Sequence, residues 1–248
     1  MKFIGIIPAR YSSTRLPGKP LAMIGNKPMI QHVYERASEV LTEVWVATDD
    51  QRIMDAVEAF GGKAVMTSAE HRTGTDRCAE VAMRMAEAGD VIVNIQGDMP
   101  FITSESIRLL CGCFNDPLTE IATLAAPFGT AEDILVPHKV KVLVENDGWA
   151  YNFSRMPVIK ETGDKAEDGK WLNRNFKHIG LYGYRYETLL RITKLPQSQS
   201  ELAESLEQLR WLANGYRIKC AIVTEDNISV DTPEDLVNAL KFYKASTH

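Results

Sequence analysis

The first 126 residues alternate between short, continuous apolar runs and longer segments of helical period, and few folds accommodate that alternation. Phe3-Ile4-Gly5-Ile6-Ile7 is apolar without interruption up to Pro8, as a strand is when both its faces are covered. Val44 to Thr48 and Val91 to Ile95 repeat the pattern, and Ala122 to Ala126 is a weaker version. Between them Met29, Ile30, Val33, Tyr34, Ala37, Val40 and Leu41 recur at intervals of three and four, which predicts one apolar helical face over 28–41. Asp49-Asp50 predicts a helix through Phe60 that stops at Gly61-Gly62, and Thr75-Asp76 one through Ala88 that stops at Gly89. Strand and helix in turn specify an α/β fold with a parallel sheet.

Beyond residue 136 the pattern changes. Val140, Val142 and Val144 alternate within Lys139 to Glu145, and His178 to Tyr184 is a second extended run, so two antiparallel strands are expected there. Residues 160–175 between them hold eight charged residues and no periodicity, which predicts an exposed, mobile loop placed to lie over a site. Leu202, Leu206 and Leu209 predict a helix opened by the capping box Ser198-x-x-Glu201. Ala221 to Val223 predicts a short strand, and Thr232-Pro233 with Asp235 opens a terminal helix. The reading is one domain over 1–248 with an antiparallel insert at about 137–190.

A chain of 248 residues needs no disulfide or structural metal, since domains near 150 residues already bury roughly 70% of their unfolded surface. Cys78, Cys111, Cys113 and Cys220 show no C-x-x-C pair and no His at zinc spacing, so buried reduced thiols are expected. The apolar start is too short for a signal peptide or a membrane span, and a cytoplasmic protein is expected. Charge is the more informative quantity. Net charge is −5, yet residues 1–34 carry Lys2, Arg10, Arg15, Lys19 and Lys27 with no acid at all. A local cluster of cations on an acidic chain argues against nucleic acid as a partner and for one anion site.

That cluster centres on Pro8-Ala9-Arg10-Tyr11-Ser12-Ser13-Thr14-Arg15-Leu16-Pro17-Gly18-Lys19, directly after the first strand. The carboxyl end of such a strand is where open α/β sheets bind ligands, and Arg, Lys and free backbone N–H groups suit a polyphosphate. It is not a Walker A loop: Ser13 stands where the first glycine belongs, and Pro20 follows the lysine. Gln96-Gly97-Asp98-Met99-Pro100 follows the third strand, where Asp98 could hold Mg²⁺ or cap a turn through Gly97. Asp231 could complete such a metal site or cap the last helix.

The motifs PARYSSTRLPGKPL (8–21), HRTGTDR (71–77), QGDMPFI (96–102), FSR (153–155), HIGLYGYR (178–185), LEQLR (206–210) and VDTPEDL (230–236) together resemble the cytidylyltransferases that activate 3-deoxy-manno-octulosonate (Kdo). The match runs in order over nearly the whole chain. The resemblance implies a Rossmann-like nucleotidyltransferase sheet with a smaller antiparallel dimerisation insert, a homodimer, and CTP and an acidic octulosonate as partners. The implied products are CMP-sugar and pyrophosphate, for lipopolysaccharide synthesis. Arg10, Arg15 and Lys19 would hold the triphosphate, Pro8 and Ala9 would line the cytidine site, and Arg72, Gly74 and Gln96 would lie near base or ribose. Asp98 and Asp231 would bind Mg²⁺. Arg155, His178, Tyr182, Glu207 and Gln208 would face the sugar acid. Without the resemblance, His178 reads equally as a strand histidine bonded to backbone, and Glu207 and Gln208 as a solvated helix face.

Two departures stand out. The family pattern QGDEP is here Gln96-Gly97-Asp98-Met99-Pro100, and an Arg-Asp pair usual after the FSR segment gives way to Thr162-Gly163 in Val158 to Gly163. Both fall where the sugar is expected, which leaves an 8-amino-3,8-dideoxy sugar level with Kdo. Glu161 or Glu207 would then face the ammonium group. A sialic acid substrate and a non-catalytic CTP-binding relative are the readings of other classes.

Overall fold

Phe3–Ala9 (β1) is the central strand of a parallel sheet because its apolar side chains are covered on both faces: Ile4, Ile6 and Ile7 are fully buried. In the computed structural model, which describes residues 1–13, 15–157, 175–224 and 228–246, the chain divides into two compact units. The first comprises residues 1–108, 185–193 and 227–248, and the second 109–184 and 194–226.

In the first unit, β1 is flanked by Glu43–Thr48 (β4) and Val91–Asn94 (β6), with Ala64–Met66 (β5) outside β4, all parallel. Met23–Ile24 (β2) and Lys27–Pro28 (β3) form a small hairpin after the first loop. Met29–Ser38 (α1) buries Met29, Ile30, Val33 and Ala37, the expected face, but ends three residues early. Gln51–Ala59 (α2) starts where expected, with the Asp50 carboxylate accepting from the Arg52 N–H. Gly74–Met85 (α3) corrects the expected boundaries at both ends. Its cap is Thr73, in a reciprocal box with Asp76, and the helix stops short of Ala88. Ser104–Gly112 (α4) leads the chain into the second unit. Tyr186–Ile192 (α6) and the terminal Pro233–Ser246 (α9) belong to the first unit.

The second unit contains Ile121–Ala126 (β7), Ala131–Ile134 (α5), Lys141–Val144 (β8), Trp149–Ser154 (β9), the long Asn175–Arg185 (β10), whose last residue belongs to the first unit, and Ile218–Ile222 (β11). Strands β8 and β10 pair antiparallel, as the alternation of valines predicts, with Phe176 opposite Val142. The order β10-β7-β11-β9-β8 closes back on β10, so these five strands leave few free edges. The expected helix over Leu202 to Leu209 is broken: Gln199–Glu204 (α7) ends at Ser205, whose φ of 52° is left-handed, and Gln208–Ala213 (α8) restarts beyond it. The expected loop at 160–175, together with Val158 to Gly163, lies outside the described residues apart from Asn175, which opens β10.

All four cysteines are free; Cys78 and Cys220 are buried as expected, whereas Cys111 and Cys113 are half-buried. Burial pushes Cys111 and Cys220 up to about 12 and Cys113 to about 11, so none of these three is a ready nucleophile.

Candidate active site

In the first unit, the loop after β1 folds back on itself because the Tyr11 carbonyl accepts from both Ser13 N–H at 2.9 Å and Gly18 N–H at 3.0 Å. Gly18 has φ 68°, and a Cβ there would press on the Tyr11 ring at 3.2 Å, so glycine is required for the turn that delivers Lys19. The Arg52 guanidinium, held by Asp50, lies 3.2 Å from the centroid of the same tyrosine ring. Pro8 is approached from two sides at positions where a Cβ would crowd it, Gly74 against its ring at 3.2 Å and Gly97 against its carbonyl at 3.2 Å.

The loop lines a polar cleft of about 430 Å³ with Pro8, Ala9, Arg10, Arg15, Lys19, Gln96, Asp98 and Asp231, all eight of them residues singled out in the sequence. Ser12, Ser13, Pro20 and Gly97 complete its lining. Gly74 is not in the lining but supports Pro8, and Arg72 is an exposed residue that is not among the lining residues.

Lys19 organises the charges. Its ammonium donates to Asp98 Oδ2 at 2.7 Å and to Asp231 Oδ1 at 3.0 Å, and Arg15 Nη2 lies 3.1 Å from the same Asp231 oxygen. Burial works against the ammonium, but the two carboxylates outweigh it and hold the Lys19 pKa above the ordinary lysine value. The Asp98 carboxylate therefore faces a cation rather than capping a turn. Asp231 does not cap α9 either: Thr232 Oγ1 accepts from the Asp235 N–H, and the Asp235 carboxylate accepts from the Thr232 N–H. A backbone hydrogen bond from Val230 N–H to the Asp98 carbonyl, 2.9 Å, ties the two acidic segments together.

Two carboxylates converging on one cation position fit Mg²⁺, which takes one or two protein carboxylates and completes its shell with water and substrate phosphate. Among the described residues no group of three or more His, Cys, Asp or Glu that could hold a metal ion is found. Met99, in place of the family's glutamate, is buried at 5% exposure and does not line the cleft.

In the second unit, the residues expected to face a sugar cluster on β9, β10 and α8. The Phe153, His178, Tyr182, Tyr184 and Trp211 rings form a continuous aromatic group, with His178 5.1 Å from Phe153 and 5.3 Å from Tyr182 between centroids. His178 bonds the Thr123 side chain at 3.1 Å instead of backbone, and burial lowers its pKa to about 3. Burial likewise raises the Tyr182 hydroxyl well above its usual range, with Glu207 adding to it. Glu207 and Gln208 are not a solvated face: Gln208 is 5% exposed and Glu207 pairs with Arg210 at 3.0 Å. Arg155 is anchored by Nε to the Glu204 carbonyl at 2.6 Å and by Nη2 to the Ser205 carbonyl at 3.3 Å, two of its five N–H donors.

The sequence reading missed the supports of this group. Glu204 accepts from Ser154 Oγ and the Arg155 N–H, and the fully buried Lys141 donates to the Arg155 carbonyl at 2.7 Å. The one available signal was a lysine at alternate position with Val140 and Val142, on an otherwise apolar strand.

A parallel sheet with a cationic loop at the end of its first strand and two carboxylates opposite is the arrangement of a nucleotidyltransferase. Residues 4–218 match the family described as cytidylyltransferase. The chain is 54% identical to the 3-deoxy-manno-octulosonate cytidylyltransferase of Parabacteroides distasonis, over 98% of each chain. It is 52% identical to that of Bacteroides thetaiotaomicron, over 98% and 99%. It superposes at a TM-score of 0.91, with 44% identity and 99% and 100% coverage, on a CMP:2-keto-3-deoxy-manno-octonic acid synthetase solved with CTP. The chain belongs to the 3-deoxy-manno-octulosonate cytidylyltransferase family and is an enzyme of the nucleotidyltransferase class.

Proposed function

We propose that this chain transfers the cytidylyl group of CTP to Kdo, releasing pyrophosphate and supplying CMP-Kdo for lipopolysaccharide synthesis. The observation that carries the reading is the identity of 54% over 98% of the chain to an enzyme named for that reaction, with eight of the expected residues among those lining one cleft. Arg10, Arg15 and Lys19 bind the triphosphate. Asp98 and Asp231 would hold Mg²⁺, which when bound neutralises charge on phosphate oxygens. Transfer of this kind needs positioning and charge stabilisation rather than a protein nucleophile, and the sugar's anomeric hydroxyl supplies the attacking oxygen. Arg155, His178, Tyr182, Glu207 and Gln208 bind the sugar acid. We place the enzyme in the cytoplasm, in accord with the described residues holding no helix long and apolar enough to cross a membrane, and as a homodimer through the antiparallel insert.

Met99 is buried and is not among the residues lining the cleft of the first unit, and Val158 to Gly163 lie outside the described residues. The test is pyrophosphate release and product mass with purified protein, CTP, Mg²⁺ and either Kdo or its 8-amino analogue. CMP-Kdo formed with the higher kcat/KM is expected. Turnover of the amino sugar alone would overturn the choice of Kdo, and no turnover of either would overturn the reading.

A further inference from the structure

What His178 can present to a ligand is decided by a neighbour that no motif contains. Thr123 is fully buried in the middle of β7. Pairing between β10 and β7 slips between Ile179 and Tyr182, and the irregularity turns two carbonyl oxygens toward the Thr123 hydroxyl: Ile179 O at 3.1 Å and Leu181 O at 2.8 Å. His178 Nε2 lies 3.1 Å from the same hydroxyl oxygen.

A threonine hydroxyl has one proton and two lone pairs, and a carbonyl oxygen can only accept. An oxygen pair at hydrogen-bond distance is attractive with a proton between its members and repulsive without one. The single hydroxyl proton is therefore committed to the carbonyls. The lone pair turned toward the imidazole must then be met by an N–H. Resting on the sugar-binding reading above, we propose that Thr123 is a positioning residue that keeps a proton of the His178 ring on Nε2, facing the threonine. In the neutral ring Nδ1 is then an acceptor, so that His178 accepts a hydrogen bond from a sugar hydroxyl and does not bind the sugar's carboxylate. Burial, which lowers the His178 pKa to about 3, acts in the same direction by excluding the imidazolium. Among the described residues no group donates to Nδ1. The carboxylate is left to Arg155, whose guanidinium has N–H donors beyond the two bound to backbone.

The experiment has two arms. Long-range proton–nitrogen correlation spectra of the ligand-free ¹⁵N-labelled enzyme read the His178 tautomer with no substrate present. The expected result is a protonated Nε2 and a bare Nδ1; a protonated Nδ1, or an imidazolium at neutral pH, overturns the proposal. In the kinetic arm, Thr123→Val should raise KM for Kdo about tenfold, the cost of one hydrogen bond, while KM for CTP stays within twofold. Thr123→Ser, which keeps the hydroxyl, should restore both the KM and the nitrogen signals, and it decides the matter if the valine variant does not fold. An unchanged KM for Kdo in a folded valine variant, or failure of the serine variant to rescue, overturns the positioning role. Absence of Kdo turnover by the wild-type enzyme would remove the substrate reading alone, because the nitrogen assignment is made without Kdo.

Discussion

In the cleft of the first unit, Lys19, Arg15, Asp98 and Asp231 are linked by ion pairs of 2.7 to 3.1 Å; in the second unit, the residues of the aromatic group hold their charges neutral or cancelled. His178 stays an uncharged imidazole, the Tyr182 phenol keeps its proton, and Glu207 is matched by Arg210. The cleft is polar and open enough for its charges to exchange partners when a phosphate arrives. The aromatic group is buried apart from His178, which is partly exposed, and it offers fixed dipoles instead. Charge that moves suits a leaving polyphosphate, and dipoles that do not move suit discrimination among hydroxyl groups, because a buried donor or acceptor left unmatched is costly.

The comparison breaks first at Asp98. If the cleft works through charge, Asp98→Asn removes the carboxylate proposed to hold Mg²⁺ and a partner of Lys19 while nearly preserving side-chain volume. We expect kcat to fall by about 100-fold or more with melting temperature nearly unchanged. Activity within a few-fold of wild type, measured by pyrophosphate release, would mean that the carboxylate only anchors the lysine.

A smaller effect separates the two cations. Removing one charge-assisted contact costs roughly 1.5 to 3 kcal/mol, or about 10- to 150-fold in affinity. The Lys19 side chain is 16% exposed and that of Arg15 62%, so Lys19→Ala should reach the upper part of that range and Arg15→Ala the lower. CTP affinity by calorimetry at low and high salt checks the order. Equal losses, or none, would show that burial does not grade these contacts.

How far the two regions could be read from sequence follows the same division. The cleft was legible because its cations, its glycine and Asp98 sit on loops that follow strands, where chain order already implies proximity. Asp231, 133 positions from Asp98, stands instead just before the terminal helix, and eight of the expected residues meet. Arg72 is the one expected nucleotide residue located by the family resemblance alone that neither lines the cleft nor supports it. The second unit was legible in its valines and its capping box, but its supports were not. Thr123 is an ordinary strand threonine until the β10 irregularity brings two carbonyls to it, and no local pattern encodes that pairing. Strand β9 had a signal that went unread: Asp147-Gly148 with φ 81° at Gly148 is a hairpin turn between two extended runs. Ser205 broke a helix that leucine spacing alone would continue, because a left-handed residue is invisible to hydrophobic period.

The smallest expected effect sharpens the neutral side of the comparison. His178 has a folded pKa of about 3, below the ordinary value of 6.5, so in the interval between them the unfolded chain binds a proton that the native state refuses. Stability from this group is therefore fully present above about pH 6.5 and is lost progressively as pH falls toward 3. Carboxylates such as Asp235, held below their usual range by hydrogen bonds from Thr232 that outweigh burial, also favour the folded state and also lose that contribution in acid, but only below their unfolded values. The window from pH 6.5 to 5 lies above the carboxylate range, and comparison with a variant lacking this imidazole separates it from the other four histidines. Urea midpoints across that window should fall with a slope approaching one proton per molecule, about 1.4 kcal/mol per pH unit, in the wild-type protein. In His178→Gln, which keeps an N–H toward Thr123 but cannot titrate, the slope should be smaller by that one proton. Identical slopes in the two proteins would mean that His178 takes up its proton in the folded state, and the second unit would then manage charge as the first does.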